Sequence, residues 1–392
     1  MDKEMLKKYA RKAAPYAAVA LVSALITTLI VLTATVGMWR QSKLDALESL
    51  ILERFIGTVD QTELEDAAAN AMIEALDDPW SYYIPADEYA QFSEQRRNSY
   101  VGIGVTITVR SDGGGLDIAQ ITAGGGAEKA GLQVGDIIVG VDGENIRGMS
   151  TEDVKNMIRG EENTDVVLTV LRSGQEQTFT VRRTSIQTPV ATGTLLENGI
   201  GVVRIVNFND KCAKETIAAI EALMEQGAEK LIFDVRFNPG GYVSELVDVL
   251  DHLLPKCVLF RMEDYTGNQE IKYSDSDCLD VPMAVLVNGD SYSAAEFFAA
   301  ALSEYEVAVI VGEQTSGKGY FQNTFELGDG SAAGISVGKY YTPKGVSLAG
   351  KGITPDAVYP VDDKTAAKIQ AGTLPYDQDP QIQAAIQALN GN

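Results

Sequence analysis

Apolar and polar positions follow four successive patterns along this chain. Residues 13–39 hold no charged side chain, reading AAPYAAVALVSALITTLIVLTATVGMW. Residues 40–57 then place Leu44, Leu47, Leu50, Ile51 and Phe55 at three- and four-residue spacing, the period of a helix with one apolar side. Residues 61–96 predict two more helices around a turn at Asp77-Asp78-Pro79. Thr62 and Glu65 have the spacing of a capping box that opens the first, and Ala86–Arg97 resumes helical spacing in the second. Residues 99–183 switch to short alternating runs broken by glycine. They predict a strand at Ile137–Val141, an amphipathic helix at Thr151–Ile158, and a hairpin of Val166–Leu171 with Thr178–Val181 around Ser173-Gly174. From 195 to 360, apolar strands (Gly199–Val206, Leu231–Val235, Met283–Val287, Val307–Val311) alternate with helices (Cys212–Gln226, Gly241–Leu254, Ala294–Tyr305). That alternation predicts an α/β domain. Residues 361–392 are polar, with a last helix near Pro380–Leu389.

Composition narrows the class. At 392 residues there is room for two or three domains, and the net charge of −23 argues against nucleic acid and against broad adsorption to anionic lipid. Cys212, Cys257 and Cys278 have no C-x-x-C spacing, and His252 is the single histidine. A structural zinc site is therefore not expected, no metal or other cofactor is implied, and three buried, reduced thiols are the expectation. The uncharged stretch is long enough for a spanning helix, which needs about 20 apolar residues across ~30 Å. It is longer than the roughly 7–15-residue core of a signal peptide. Lys3, Lys7, Lys8, Arg11 and Lys12 precede it, so the positive-inside rule predicts a single-pass cell-membrane anchor. The N-terminus would be cytoplasmic and everything after Arg40 extracytoplasmic. Tyr16 and Trp39 stand where interfacial aromatics would. The apolar stripe at 40–57 would serve either a homodimer or packing on the rest of the protein.

Candidate chemistry gathers near the end of the chain. Ser293 stands between the apolar run Ala284–Val287 and a helix, where free N–H groups and the helix dipole favour developing negative charge. Ser291 is the alternative nucleophile, or a cap. With one histidine in the chain, most schemes with a histidine base are nearly closed. Lys318, in Gly-Lys-Gly 25 positions after Ser293, would act as a base only if burial lowered its pKa well below the ordinary value of about 10.4. Asn238-Pro239-Gly240-Gly241 is a turn that exposes N–H groups just before a helix. These would supply one half of an oxyanion hole and the N–H of Ala294 the other.

Two resemblances organise these observations. Gly102-Ile103-Gly104-Val105, Gly131-Leu132 with Gly135-Asp136, and the Val141-Asp142-Gly143 turn resemble a PDZ domain. Such domains add a C-terminal peptide to a sheet edge and hold its carboxylate on a backbone loop; by position that loop would be Val101, Gly102, Ile103 and Gly104. Further on, Asp234-Val235-Arg236, Asn238-Pro-Gly-Gly241, Asn288…Ser291-x-Ser293-Ala-x-Glu296, Gly312-Glu-Gln-Thr315-Ser-Gly-Lys-Gly319 and Gln322 resemble the C-terminal processing peptidases, also called tail-specific proteases. Tyr341-Thr-Pro-x-Gly345, Lys351-Gly-Ile-Thr-Pro-Asp356 and Leu76-Asp-Asp-Pro-x-Ser81 extend the likeness over about residues 45 to 390.

The resemblance implies a serine endopeptidase with a crotonase/ClpP-like α/β core. Ser293 would be the nucleophile and Lys318 the base, with Gln322 placing the lysine. Gly240 or Gly241 would join Ala294 in the oxyanion hole. Substrates would be proteins or peptides with free C-termini, held and gated by the PDZ-like part. Tyr292 replaces a small residue beside the nucleophile, which would narrow the pocket, and Ala295 replaces a serine. The implied layout is a tail at 1–12, an anchor at 13–39, a helical region at 40–98, a PDZ-like domain at 99–183, a catalytic domain at 184–360 and a helical tail at 361–392. An inactive PDZ scaffold and a crotonase-like acyl-CoA enzyme are the competing readings.

Overall fold

The computed structural model of this chain describes residues 5, 13–16, 19–29, 42–110 and 112–391. Of the expected anchor, residues 13–16 and 19–29 are helical and the remainder lies outside the described residues, Trp39 included. Among the described residues no helix is long and apolar enough to cross a membrane. The chain divides into two compact units, Met1–Ala75 and Leu76–Asn392. In the first, the helices Lys43–Arg54 and Gln61–Glu74 form where the periodicity places them. The cap of the second is Asp60, not Thr62. Its carboxylate accepts from the N–H groups of Thr62 and Glu63, because the shorter acidic side chain outside the helix reaches both orphan donors.

The larger unit is built on a six-stranded sheet. Its order is Ala191–Leu195, Ile200–Ile205, Lys230–Asp234, Met283–Val287, Ala308–Gly312 and Ala357–Val358, parallel throughout except for the first, antiparallel edge strand. All five residues of Met283–Val287 are buried, as a central parallel strand covered on both faces requires. Val203, Phe233, Val285 and Ile310 face the helices Cys212–Glu225, Val243–Leu253 and Ala294–Glu304. Val202, Ile232, Leu286 and Val311 face Ile382 and Ala385 of the helix Pro380–Leu389. A further helix, Asp363–Gln370, sits in the tail that reads as polar.

A second, antiparallel sheet is absent from the sequence pattern. It joins Tyr82–Ile84, Val258–Asp264, Gln269–Tyr273, Tyr320–Glu326 and Ala332–Tyr341. Tyr82–Ile84 pairs with residues 332–334, at the far end of the sequence. Phe260, Phe321 and Tyr340 of this sheet pack ring to ring, and Phe260 and Tyr340 both meet Phe297 of the helix after Ser293, with centroids 4.9–5.5 Å apart. These contacts fix the second sheet against the helix that follows Ser293.

Residues 105–182 form a separate barrel-like sheet, ordered Val105–Val109, Leu116–Ile121, Ile137–Val141, Asp165–Arg172 and Gln175–Arg182, with its own apolar cluster around Ile118, Ile138 and Leu168. Asp136, 2% exposed, receives Arg172 at 2.6 Å and pins the Gly131–Asp136 turn to the hairpin. Val101 and Gly102 do not form the expected loop. They lie in the strand Ser99–Gly102, paired with Thr184–Gln187, which leaves Ile103 and Gly104 (φ +78°) as the turn. The thiols also differ from expectation. All three are free, but Cys278 is exposed and Cys257, packed at the margin of the apolar core, only half-buried.

Candidate active site

Three loops at the carboxyl ends of adjacent parallel strands converge: residues 236–241 after Lys230–Asp234, residues 288–293 after Met283–Val287, and residues 313–319 after Ala308–Gly312. This is where open α/β sheets place ligands.

The middle loop carries Ser293 at the start of the helix Ala294–Glu304, with φ +58° and ψ −126°. A serine there is strained, and such strain persists only where the surroundings over-determine it. Ser291 is fully buried. Its hydroxyl donates to the Val235 carbonyl at 2.7 Å and accepts from the Asn288 N–H, so it is a strut inside the loop, while Ser293 lines a cavity of about 380 Å³. The adjoining turn is tied in by Asn238, whose carbonyl accepts from the Tyr292 N–H and whose side-chain oxygen accepts from the Gly240 N–H.

That last bond separates the two glycines. The Gly240 N–H is spent inside its turn, whereas those of Gly241 and Ala294 make no hydrogen bond among the described residues and are the pair free to receive an oxyanion. Gly240 has a steric role instead. A Cβ on it would stand 2.7 Å from the Ser293 Cβ and 2.8 Å from the Ala294 nitrogen, at φ +83°.

The third loop packs inward. A Cβ on Gly317 or Gly319 would stand 2.5–2.8 Å from backbone atoms of residues 349–352, so the Gly-Lys-Gly turn is wedged against that segment and Lys318 is half-buried. Its ammonium lies 4.9 Å from the Trp80 ring centroid and 5.7 Å from that of Tyr292, and no hydrogen bond joins it to Ser293. Burial first, then the charge of Arg96, pulls the Lys318 pKa down to about 8, against the opposing pulls of Asp78 and Glu296. No hydrogen bond joins Gln322 to Lys318. Its amide donates to the Tyr320 carbonyl and the Ser336 hydroxyl, because Gln322 and Ser336 are directly opposite in the paired strands and share a face of the sheet.

The residue that unites the loops is one to which sequence reasoning gave no role. Glu296, 0% exposed, accepts from the Ser293 N–H (3.0 Å) and the Lys318 N–H (2.8 Å) on one oxygen. On the other it accepts from the Gly317 N–H (2.7 Å) and the Thr315 hydroxyl (2.6 Å). Burial raises its pKa, and these donors oppose the rise. The available signal was a glutamate three positions into an otherwise apolar helix. Behind the turn, the buried Arg236 holds Asp234 and Asp379 at 2.7 and 2.8 Å, locking the C-terminal helix to the strand end.

A family model described as peptidase family S41 matches residues 199–359, one described as a PDZ domain matches 118–172, and one described as the activating protease CtpB N-terminal domain matches 32–88. The carboxyl-terminal-processing protease of Synechocystis is 33% identical over 331 residues, covering 83% of this chain and 76% of that protein. The carboxy-terminal processing protease CtpA of Bacillus subtilis is 32% identical over 326 residues, covering 82% and 70%. An S41-type protease structure from Bacteroides fragilis superposes with a TM-score of 0.51 at 16% identity, over 88% of this chain and 96% of that one, a likeness of fold.

Proposed function

This chain belongs to peptidase family S41, the carboxyl-terminal processing proteases, and is a serine-type endopeptidase; on that premise we propose that Ser293 is its nucleophile and Lys318 its general base. One observation carries the assignment. Ser293, on a strained turn at a helix N-terminus, and a lysine lowered to about 8 line the same cavity. Ser293 Oγ attacks the scissile carbonyl while Lys318 Nζ takes its proton. The oxyanion is received by the N–H groups of Gly241 and Ala294, and the lysine returns the proton to the leaving amine. Water, deprotonated by Lys318, then attacks the acyl carbon and displaces Ser293 Oγ, which takes that proton back from the lysine. For the first step the lysine leaves the faces of Trp80 and Tyr292 and reaches Ser293. Gating of that movement by the PDZ domain, with the substrate C-terminus held near Ile103 and Gly104, belongs to the same reading.

The test is proteolysis of peptides with free C-termini. Ser293→Ala and Lys318→Ala should each abolish cleavage with the circular dichroism unchanged, and near wild-type turnover by Lys318→Ala would remove the dyad. An inactive scaffold is not favoured, and covalent labelling of Ser293 by a fluorophosphonate discriminates against it.

A single-pass membrane anchor with an extracytoplasmic catalytic unit completes the proposal, supported by the uncharged 13–39 stretch and its basic flank. The protein should pellet with membranes and be released by truncation before Arg40. Self-association through the exposed Leu44, Leu47, Leu50 and Phe55 is supported by their exposure of 44–59%. The domain limits 99–183 and 184–360 are supported by where the PDZ and peptidase models match.

A further inference from the structure

The whole chain carries a net charge of −23, yet the cavity that holds Ser293 is lined by two cations, Arg96 and Lys318, and by no carboxylate. Lys318 is accounted for by the proposed reaction; Arg96 is not. It sits in the last turn of the helix Ala86–Arg96, half-buried, and makes no ion pair among the described residues. Its guanidinium carbon lies 4.1 Å from the ring centroid of Tyr242, the residue that follows the Gly240-Gly241 turn. The guanidinium sits over that ring, and no hydrogen bond engages its N–H donors among the described residues. Arg96 also lines the neighbouring cavity of about 600 Å³, together with Arg97 and Gly241. The one carboxylate there, Asp210, is joined to Arg96 only through the backbone, its N–H donating to the Arg96 carbonyl. A planar fork held over an aromatic ring, in a cavity lined by Ser293 and by no carboxylate among the described residues, is suited to one kind of guest: a carboxylate, bound in bidentate fashion.

We propose that Arg96 is a carboxylate receptor inside the active-site cavity, taking an anionic group of the substrate within a few residues of the bond that is cut. The proposal rests on the Ser293–Lys318 reading for the place of the cut. The carboxylate is either the free C-terminus of a short tail or a Glu or Asp side chain beside the scissile bond. Because Arg96 also acts electrostatically on Lys318, absolute rates are a poor test, and a ratio between paired substrates cancels that effect.

Four peptides that share one cleavage sequence supply two ratios: free acid against C-terminal amide, and Glu against Gln beside the cut in an amidated peptide. Wild type is expected to favour the carboxylate member of at least one pair by about tenfold in kcat/KM, the size of one charged hydrogen-bonded contact. Arg96→Gln should bring that ratio close to one, and Arg96→Lys, which keeps the charge and loses the fork, should leave an intermediate value. The pair that responds identifies which carboxylate is bound. A preference for free acid due to the PDZ domain alone would survive in Arg96→Gln. Survival of both ratios in that variant, or no preference in wild type, overturns the proposal. Anisotropy of the same peptides, fluorescently labelled, on Ser293→Ala with and without Arg96→Gln reads the contact without turnover. Cleavage that persists in Ser293→Ala, by contrast, defeats the dyad reading and leaves the anisotropy result to decide on Arg96.

Discussion

The two halves of the proposed dyad are built by opposite means. Ser293 is placed by its own neighbourhood: an all-buried strand, a five-residue loop braced by Asn288 and Ser291, and a helix. Lys318 is placed by parts brought from far away in sequence, namely residues 349–352 beneath its glycines, Trp80 and Tyr292 against its ammonium, and Glu296 on its N–H. The nucleophile is thus fixed under strain, while the base rests on aromatic faces from which it can move. Under the proposed dyad, a rigid nucleophile with an adjustable base would let activity be switched by the lysine alone, without rebuilding the oxyanion site.

This contrast can be broken at its most rigid point. Gly240→Ala inserts a methyl group 2.7 Å from the Ser293 Cβ, and kcat should fall by about 10²–10³-fold, the scale of a lost oxyanion interaction. Near wild-type turnover would mean the nucleophile turn yields after all. Next comes the tie between the halves. Glu296→Gln turns one of two oxygens, each of which accepts from two donors, into a donor. Activity should drop about 10²-fold through misplacement, with a loss of roughly 2–3 kcal/mol in denaturant unfolding from the unpaired donors. If stability falls and activity does not, the tie is only architectural.

Strain is measured more gently. Ser293→Gly and Ser293→Ala should both be inactive, but the glycine variant should be more stable by about 1 kcal/mol because φ +58° suits it. Equal stability would deny the strain. The smallest effect belongs to the base. Lys318 must be neutral to accept a proton, so kcat/KM should rise with pH through about 8 and level off above it. The Trp80 face favours the ammonium by about 0.5–1 kcal/mol. Trp80→Leu should therefore shift that limb to lower pH by under one unit. A shift upward would mean that the ring acts on Lys318 by burial.

Much of the fold was legible in the chain. Ile137–Val141, Thr151–Ile158, Met283–Val287 and Pro380–Leu389 form where the pattern predicts them, since each is a run whose burial period shows in its own residues. The antiparallel sheet was not legible. Val258–Asp264 is largely half-buried and Tyr320–Glu326 largely exposed, so their alternation is weak, and Tyr82–Ile84 finds its partner only at 332–334.

The site divides along the same line. Residue type and spacing were sufficient to single out Ser293, Lys318 and the Asn-Pro-Gly-Gly turn, because the chemistry each can do is local to its side chain or its turn. Only the tertiary structure made Ser291 a strut within its loop, left the Gly241 N–H rather than the Gly240 N–H without a hydrogen bond among the described residues, and joined Gln322 to Ser336. It also placed Glu296 between the two loops and Arg96 beside Lys318 in the lining of their cavity. Several of those outcomes depend on which groups meet across loops, as Ser291 meets Val235 56 positions away and Glu296 meets Lys318 22 positions away, and periodicity along a chain holds no record of such meetings.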